Sequence, residues 1–389
     1  MTIILLKLFL HITPVKSLRR YIRSKIAVSD FTKRQQRLAR KYAKAPKFYG
    51  DTEQNSVLLV EPNPYHGEII PGYVRYFQEL GYTVDVMCRY ENLEENPFAI
   101  YPNPPRIFAG TADMLRDWLL KLKGTEYKYI FLTSSAFWNL PEFYGAYLDF
   151  LGREPYAEHG IIMVEHNAVP CLLEYNEYKY LKENRLFALT ENNGIPRVNP
   201  HYFGPVSVHK LNKRKIFVAV GIRGGLSRQT IINTVMQLRA HGHTDFIIEI
   251  IGKGNFKVPN QIRTNVQFLG RLNYQDMYDH VAGADFILGL LDPGNPIYDR
   301  FKNKTSTSGS LQLSLGFGTP MIIASEFAKP VGLNSTNAIV YTNNELTGAI
   351  ETALVIRDHE YKQMQSELAK LEKCVHDESL KNLKQALIR

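Results

Sequence analysis

The chain has 389 residues, enough for two domains, and its apolar content of 44% is that of a globular protein. Three scattered cysteines, Cys88, Cys171 and Cys374, lack CxxC spacing, which argues against a disulfide framework or a cysteine zinc site and fits a reducing compartment. The net charge of +9 is concentrated: residues 1–50 hold thirteen Lys or Arg against one acid, Asp30, so the remainder carries −3, and a protein that coats nucleic acid along its whole length is not expected.

Residues 1–50 read as a basic arm. Met1 to Leu10 is apolar but broken by Lys7, and too short to span a bilayer. Its charges (Lys16, Arg19, Arg20, Arg23, Lys25) follow the apolar run, the reverse of a signal peptide. Val15, Leu18, Ile22 and Ile26 recur between them at helical spacing, and a second basic run extends from Lys33 to Lys47. The pattern predicts an amphipathic helical arm docked on an anionic membrane surface through residues 1–47. Helices packed on the protein's own body are a second reading. Nucleic-acid binding is a third, and the arm lacks the interleaved aromatics it needs.

The first domain, 51–200, alternates strands (56–61, 83–87, 127–133, 160–164, 186–190) with helices (70–80, 111–123, 141–151, 172–184). That alternation predicts a parallel α/β sheet with helices on both faces. Ligands of such sheets lie beyond the strand carboxyl ends. The loops there carry His66-Gly67-Glu68, Thr133-Ser134-Ser135 and Glu165-His166-Asn167. His66, Glu68, Glu165 and His166 are candidate catalytic bases or binders of sugar hydroxyls. Each also reads as an ordinary loop residue with local hydrogen bonds. Gly67 is expected to let an acceptor approach the backbone. No G-x-G-x-x-G follows the first strand, against a nicotinamide enzyme.

The Pro- and Gly-rich stretch 194–205 has no periodicity and reads as an interdomain linker, with a hinge placed at 201–213. The βα pattern restarts over 214–356, with strands at 215–220, 246–251, 266–269, 286–291, 321–324 and 338–341. Helices are expected at 227–240, capped by Ser227, and at 274–282 and 310–317. Further helices fill 357–389. Gly221 to Arg228 is a candidate phosphate loop, with Arg223 and Arg228 gripping a diphosphate. Lys304, Thr305, Ser306, Ser308 and Gly309 precede a helix and offer a charge, hydroxyls and free amides to an anion. A solvent-facing turn and an ordinary helix cap are the alternatives.

Several stretches of the second domain, in this order, are similar to bacterial family-4-type glycosyltransferases of surface-polysaccharide and lipopolysaccharide assembly. They are Phe217-Val218-Ala219-Val220-Gly221, Ile250-Ile251-Gly252-Lys253-Gly254, Val266-Gln267-Phe268-Leu269-Gly270-Arg271, Ala284-Asp285-Phe286 and Leu315-Gly316-Phe317-Gly318-Thr319-Pro320. The resemblance covers roughly residues 214–326; the first domain matches in outline only. It implies a GT-B fold, two Rossmann-like βαβ domains facing a cleft, with a nucleotide-sugar donor held in the second domain. Gly221 and Arg223 match the family's phosphate-loop positions, and Arg228 falls near its usual lysine. The family's two glutamates eight positions apart are replaced by Thr305 and Leu313. Lys304 and its Ser/Thr neighbours are then expected to take over phosphate binding. Asp292, Tyr298 and Glu326 are expected to face the donor's base, ribose or sugar.

The expected activity is transfer of a sugar from a nucleotide-sugar donor to a glycan or lipid-linked acceptor, with retention, at the inner face of the bacterial membrane. No metal and no cofactor is implied, since no Asp-x-Asp motif is present. A nucleotide-sugar epimerase of the same shape and a non-catalytic glycan- or nucleotide-binding protein are the alternatives.

Overall fold

The computed structural model describes residues 55–388, apart from 95, 123–125, 135–160, 167–184, 193, 208–209, 222–224, 254–256 and 343–344. Of the arm it describes Lys33, Gln36, Arg37 and Arg40. The expected helices at 141–151 and 172–184, Ser135, Asn167, Arg223 and most of the arm lie outside the described residues.

The first sheet is built from six parallel strands: β1 (Ser56–Glu61), β2 (Thr83–Arg89), β3 (Arg106–Gly110), β4 (Tyr129–Leu132), β5 (Ile161–Glu165) and β6 (Leu186–Ala188), in the order β3-β2-β1-β4-β5-β6. Strand β1 is buried along its whole length, as an unbroken apolar run between two helix layers should be. Helix α1 (Ile70–Glu79) carries Pro71 in its first turn, and its apolar face lays Tyr73, Val74 and Phe77 on the sheet. Helix α2 (Tyr90–Glu94) and edge strand β3 are additions to the sequence reading. Strand β3 starts with a polar Arg106, which hides its pattern; the guanidinium pairs with the buried Asp85 carboxylate of β2 at 2.8 and 2.7 Å. Helix α3 (Ala112–Lys121) is capped by Thr111, whose side chain accepts from the Met114 amide.

The second sheet repeats the plan with β7 (Lys215–Val220), β8 (Phe246–Ile251), β9 (Val266–Gly270), β10 (Phe286–Gly289), β11 (Met321–Ala324) and β12 (Ile339–Tyr341), in the order β12-β11-β10-β7-β8-β9. Its helices are α4 (Gly225–Ala240), α5 (Tyr274–Gly283), the short α6 (Asp299–Lys302), α7 (Gly309–Phe317), the short α8 (Ser325–Ala328) and α9 (Leu346–Val355). Helix α4 starts at Gly225, so Ser227 lies inside it and is not the expected cap. Strand β10 ends at Gly289 rather than at 291.

Each sheet therefore reverses its strand order beside its first strand, between β1 and β4 and between β7 and β10. Ligand crevices of open α/β sheets open at such reversals.

The C-terminal residues form one helix, α10 (Asp358–Ile388), about 46 Å long. It buries Tyr361 and Met364 in the core of the second domain and Leu383, Ala386 and Leu387 in that of the first. The Tyr129 hydroxyl donates to the Leu387 carbonyl at 2.5 Å. The stretch read as an interdomain linker is packed. Ile195, Val198, Asn199, His201 and Phe203 are buried. Glycines make this packing possible: a Cβ on Gly72 would lie 2.6 Å from the Pro200 backbone, and one on Gly316 would lie 2.3 Å from the His201 carbonyl oxygen. His201 Nε2 meets Glu372 of α10 at 2.9 Å, and the Asn199 amide donates to Ser379 Oγ at 3.1 Å.

Candidate active site

Where β1 and β4 end, the chain assembles a cluster of ionisable groups. Glu61, the last residue of β1, is 1% exposed. Its Oε1 accepts from the Asn63 amide at 2.8 Å, and Oε2 lies 2.8 Å from Thr133 Oγ1. The same threonine hydroxyl lies 3.1 Å from the Val60 carbonyl oxygen. It has one proton to give. With Glu61 protonated, its carboxyl donates to Thr133 and Thr133 donates to Val60, so both bonds form. Burial pushes the Glu61 pKa from 4.5 up to about 7, against the lowering charge of His66. Sequence reading passed over Glu61 as the polar end of an apolar strand. The signal was a carboxylate at the carboxyl end of the first strand, directly before Pro62-Asn63-Pro64.

His66 and His166 come together as the loops suggested, their rings 5.0 Å apart and edge to face. His166 Nε2 donates to the Thr133 carbonyl at 2.7 Å, which fixes the tautomer and leaves Nδ1 as the acceptor. Burial, with the charge of His66, pulls its pKa down to about 3, so His166 is a neutral imidazole at physiological pH. His66 holds a left-handed backbone, φ 70°. Its Nδ1 lies 3.4 Å from Glu68 Oε1. Glu68 Oε2 accepts from the hydroxyl of Tyr274, the first residue of α5, at 2.8 Å. Burial drives the Glu68 pKa up, but the hydrogen bond and charge of His66, with the Tyr274 bond, outweigh it and hold the carboxyl below its usual value. Glu165 is buried at the end of β5, next to His166 in sequence.

Gly67 does something other than expected. A Cβ there would lie 2.7 Å from the backbone oxygen of Asn92, so the glycine admits the protein's own α2 and not an acceptor. Asn92 in turn donates to the Tyr65 carbonyl at 3.0 Å, fixing the loop from below.

Across from this cluster, the second domain presents the residues expected to hold a donor. Gly221 follows β7 with φ 76° and open space where a Cβ would be. Arg228 lies on the first turn of α4. Between β10 and α7, Lys304 is exposed, also left-handed at φ 57°. The expectation that the whole 305–309 run offers free amides needs correction. The amides of Thr305 and Ser306 donate to the Arg300 carbonyl at 2.9 and 3.2 Å, as does the Thr305 hydroxyl at 3.1 Å; they terminate α6. Ser308 is the cap of α7, its Oγ accepting from the Leu311 amide at 3.3 Å. What remains for an anion is the first turn of α7 at Gly309 and Ser310, whose amides have no intrahelical acceptors, with the Lys304 charge nearby in sequence. Behind it the Thr307 hydroxyl and both amide atoms of Gln312 are buried without a partner among the described residues.

Asp292, Tyr298 and Glu326 have different surroundings. Asp292 Oδ1 accepts from the Gly294 amide at 2.9 Å and shapes the turn after β10. Tyr298 stacks on Phe301, with centroids 6.2 Å apart. Glu326 is exposed. Burial raises the Tyr341 pKa, and the charges of Glu326 and Asp292 raise it further.

Two contacts show that the clusters share one cleft. Tyr274 reaches Glu68, as above. The Thr190 hydroxyl and the Asn192 amide donate to the Lys304 carbonyl at 2.6 and 2.9 Å, pinning the 303–304 turn to the end of the first sheet. The carboxyl ends of the two sheets therefore face each other.

No family model and no curated protein matches this sequence. Solved structures do match. MnaA of S. aureus, in a co-structure with UDP, is 14% identical with a TM-score of 0.50, over 86% of this chain and 97% of that one. That likeness shows the fold. The fold is GT-B. HepE of Anabaena, in complex with UDP and glucose, matches at 11% identity and TM-score 0.47, covering 85% of this chain and 99% of that one. The spinosyn rhamnosyltransferase SpnG with spinosyn aglycone matches at 8% and 0.46, covering 86% and 100%. Among the described residues no helix is long and apolar enough to cross a membrane. Of the basic arm, exposed Arg37 pairs with Glu94 of α2 at 2.6 Å.

Proposed function

We propose that this protein is a glycosyltransferase that moves a sugar from a nucleotide-sugar donor to a hydroxyl of a glycan or lipid-linked acceptor. One observation carries the reading. The acid–base cluster at the end of the first sheet and the α7 helix start in the second domain open onto the same cleft, held by the Tyr274–Glu68 and Thr190–Lys304 bonds. Proton handling thus faces a place suited to a leaving diphosphate. In the reaction the acceptor oxygen bonds to the anomeric carbon, the bond from that carbon to phosphate oxygen breaks, and the diphosphate leaves with the electron pair. The hydroxyl proton passes to the His66–Glu68 pair. The α7 amides, Lys304, Arg228 and Arg223 offset the growing negative charge on the diphosphate.

Retention of configuration and a place in bacterial surface-glycan assembly are proposals supported by the sequence resemblance, and independence from metal ions is one supported by the missing Asp-x-Asp motif. Docking of residues 1–47 on the inner membrane face rests on their charge. Liposome flotation with and without those residues tests it; equal binding of both forms to anionic vesicles ends that part of the reading.

The acid–base cluster also favours a second reading, a nucleotide-sugar epimerase, because Glu61, Glu68, His66 and His166 supply more proton-transfer groups than transfer requires. Incubation with a panel of nucleotide sugars separates the two. Acceptor-dependent release of nucleoside diphosphate supports transfer. An altered sugar still attached to its nucleotide supports epimerisation, and tight binding with no turnover overturns both.

A further inference from the structure

The bond between Tyr274 and Glu68 joins residues 206 positions apart in the chain, one from each domain, and both ends are firmly mounted. On the second-domain side the Tyr274 ring stacks on Tyr278 at 5.7 Å, and Tyr278 packs against Phe203 and Phe317 at 5.3 Å each. On the first-domain side Glu68 sits in a short 3-10 turn packed on α2, where a Cβ on Gly67 would lie 2.7 Å from the Asn92 backbone oxygen. The bond is made in the arrangement seen here, and a parting of the two domains would break it.

Glu68 uses its other oxygen for His66. We propose that Tyr274 is a positioning residue that acts through Glu68: its hydroxyl turns the carboxylate toward His66 when the cleft closes, so that the imidazole is aimed and made basic in the closed state alone. The groups around the pair are compatible with this. His66 is flanked by the Tyr65 ring at 4.9 Å and the His166 ring at 5.0 Å, and it feels the charge of Glu61. Glu68 faces Tyr278, whose buried hydroxyl its charge affects. Of these groups, Tyr274 and Tyr278 come from the second domain, and the Tyr274 hydroxyl donates to Glu68. The chemical use follows from the transfer reading, on which this inference rests. A base that is armed before closure would activate water as readily as the acceptor, and the donor would be hydrolysed.

The test uses the full chain and the variants Tyr274→Phe and Glu68→Gln. Phenylalanine keeps the stacked ring and removes only the hydroxyl. Glutamine keeps an oxygen for Tyr274 but loses the charge beside His66. Two readouts need no turnover: the interdomain distance by paired spin labels, and the titration of the His66 ring by NMR, assigned with His66→Asn. Tyr274→Phe is expected to lengthen or broaden the distance and to move the His66 titration to lower pH, since an imidazolium without its carboxylate partner gives up its proton more readily. Glu68→Gln is expected to leave the distance as it is and to move the titration the same way. With an active nucleotide sugar, Tyr274→Phe lowers kcat about tenfold to a hundredfold, the worth of a hydrogen bond to a charged group, with donor KM nearly unchanged. If Tyr274→Phe leaves the titration where it is, whether or not the distance moves, Tyr274 is a packing residue and the inference fails. If the titration moves as stated but the parent chain turns over no nucleotide sugar, the coupling stands and the transfer reading fails.

Discussion

The two ends of the cleft occupy the same topological place and do different work. Both lie where a six-stranded sheet reverses its order, after β1 and β4 in one domain and after β7 and β10 in the other. At the first, buried groups crowd together: Glu61 rises to about 7 and His166 falls to about 3. At the second, strand ends give way to glycine, a capped helix start and an exposed lysine. Burial moves protonation, whereas exposure leaves charge fixed and available to an anion. A shared fold thus leaves the chemistry to a few residues past each strand end.

The sharpest way to break that contrast is at His66. Asparagine tolerates a left-handed backbone, so His66→Asn keeps the loop geometry while removing the imidazole. Turnover should fall about a hundredfold or more, the usual contribution of a general base. Steady-state kinetics on an active donor measures it, and a loss below threefold would mean that the proton leaves by another route.

Glu61→Gln probes burial itself. The folded-state pKa stands above the unfolded value of 4.5, at about 7. Below pH 4.5 both states are protonated and nothing is lost. As pH rises the unfolded chain ionises first, so stability drains away until the folded group also ionises near pH 7. The full cost is about 3 kcal/mol, at 1.36 kcal/mol per unit. Glutamine avoids it and can still accept from the Asn63 amide. Urea unfolding should therefore show the variant more stable than the parent at pH 8 and near parity at pH 4.5. An equal difference at both pH values would show that Glu61 is not held protonated.

The seam between the regions is tested by two glycines. Alanine normally favours a helix interior by roughly 1 kcal/mol over glycine. Gly348 in α9 has open space and should follow that rule. Gly316 in α7 should invert it, because a Cβ there meets the His201 carbonyl at 2.3 Å. Gly316→Ala is expected to cost about 2 kcal/mol through overpacking. Thermal unfolding of both variants checks the sign; equal shifts would mean that the linker can yield.

Much of this was legible in the sequence because buried parallel strands are written as unbroken apolar runs. Met321–Ala324 is read at its true bounds for that reason, and Phe246–Ile251 despite the Glu249 that interrupts it. Arg106–Gly110 was not, since an edge strand that starts with a salt-bridged arginine lacks that signature. The candidate site was half legible. His66, Glu68 and His166 stand in loops that follow strands, and the loop positions alone suggested them. Glu61 was disguised as a strand residue, and Tyr274 shows no signal because its partner is 206 residues away. The Ser/Thr run illustrates the opposite error: composition indicated hydroxyls and amides, but only the fold shows that the amides of Thr305 and Ser306 and the Thr305 hydroxyl go to the Arg300 carbonyl.

The smallest expected effect belongs to the exposed end of the comparison. In the proposed transfer Lys304 would contribute to the donor side through its ammonium, while its carbonyl holds Thr190 and Asn192. Lys304→Asn removes the first and keeps the second, again in a left-handed backbone that asparagine tolerates. An exposed cation against a diphosphate should be worth about 1.4 kcal/mol, so donor KM should rise roughly tenfold at low salt while kcat changes little. Because the group is open to solvent, salt should erase most of the difference, unlike any effect at Glu61. Donor titrations at low and high ionic strength measure both terms. A KM that does not move at low salt would leave the anion to the α7 amides and arginines and remove Lys304 from the site; a loss that persists in high salt would show that the ammonium is buried by the bound donor and that the two ends of the cleft are less different than they look.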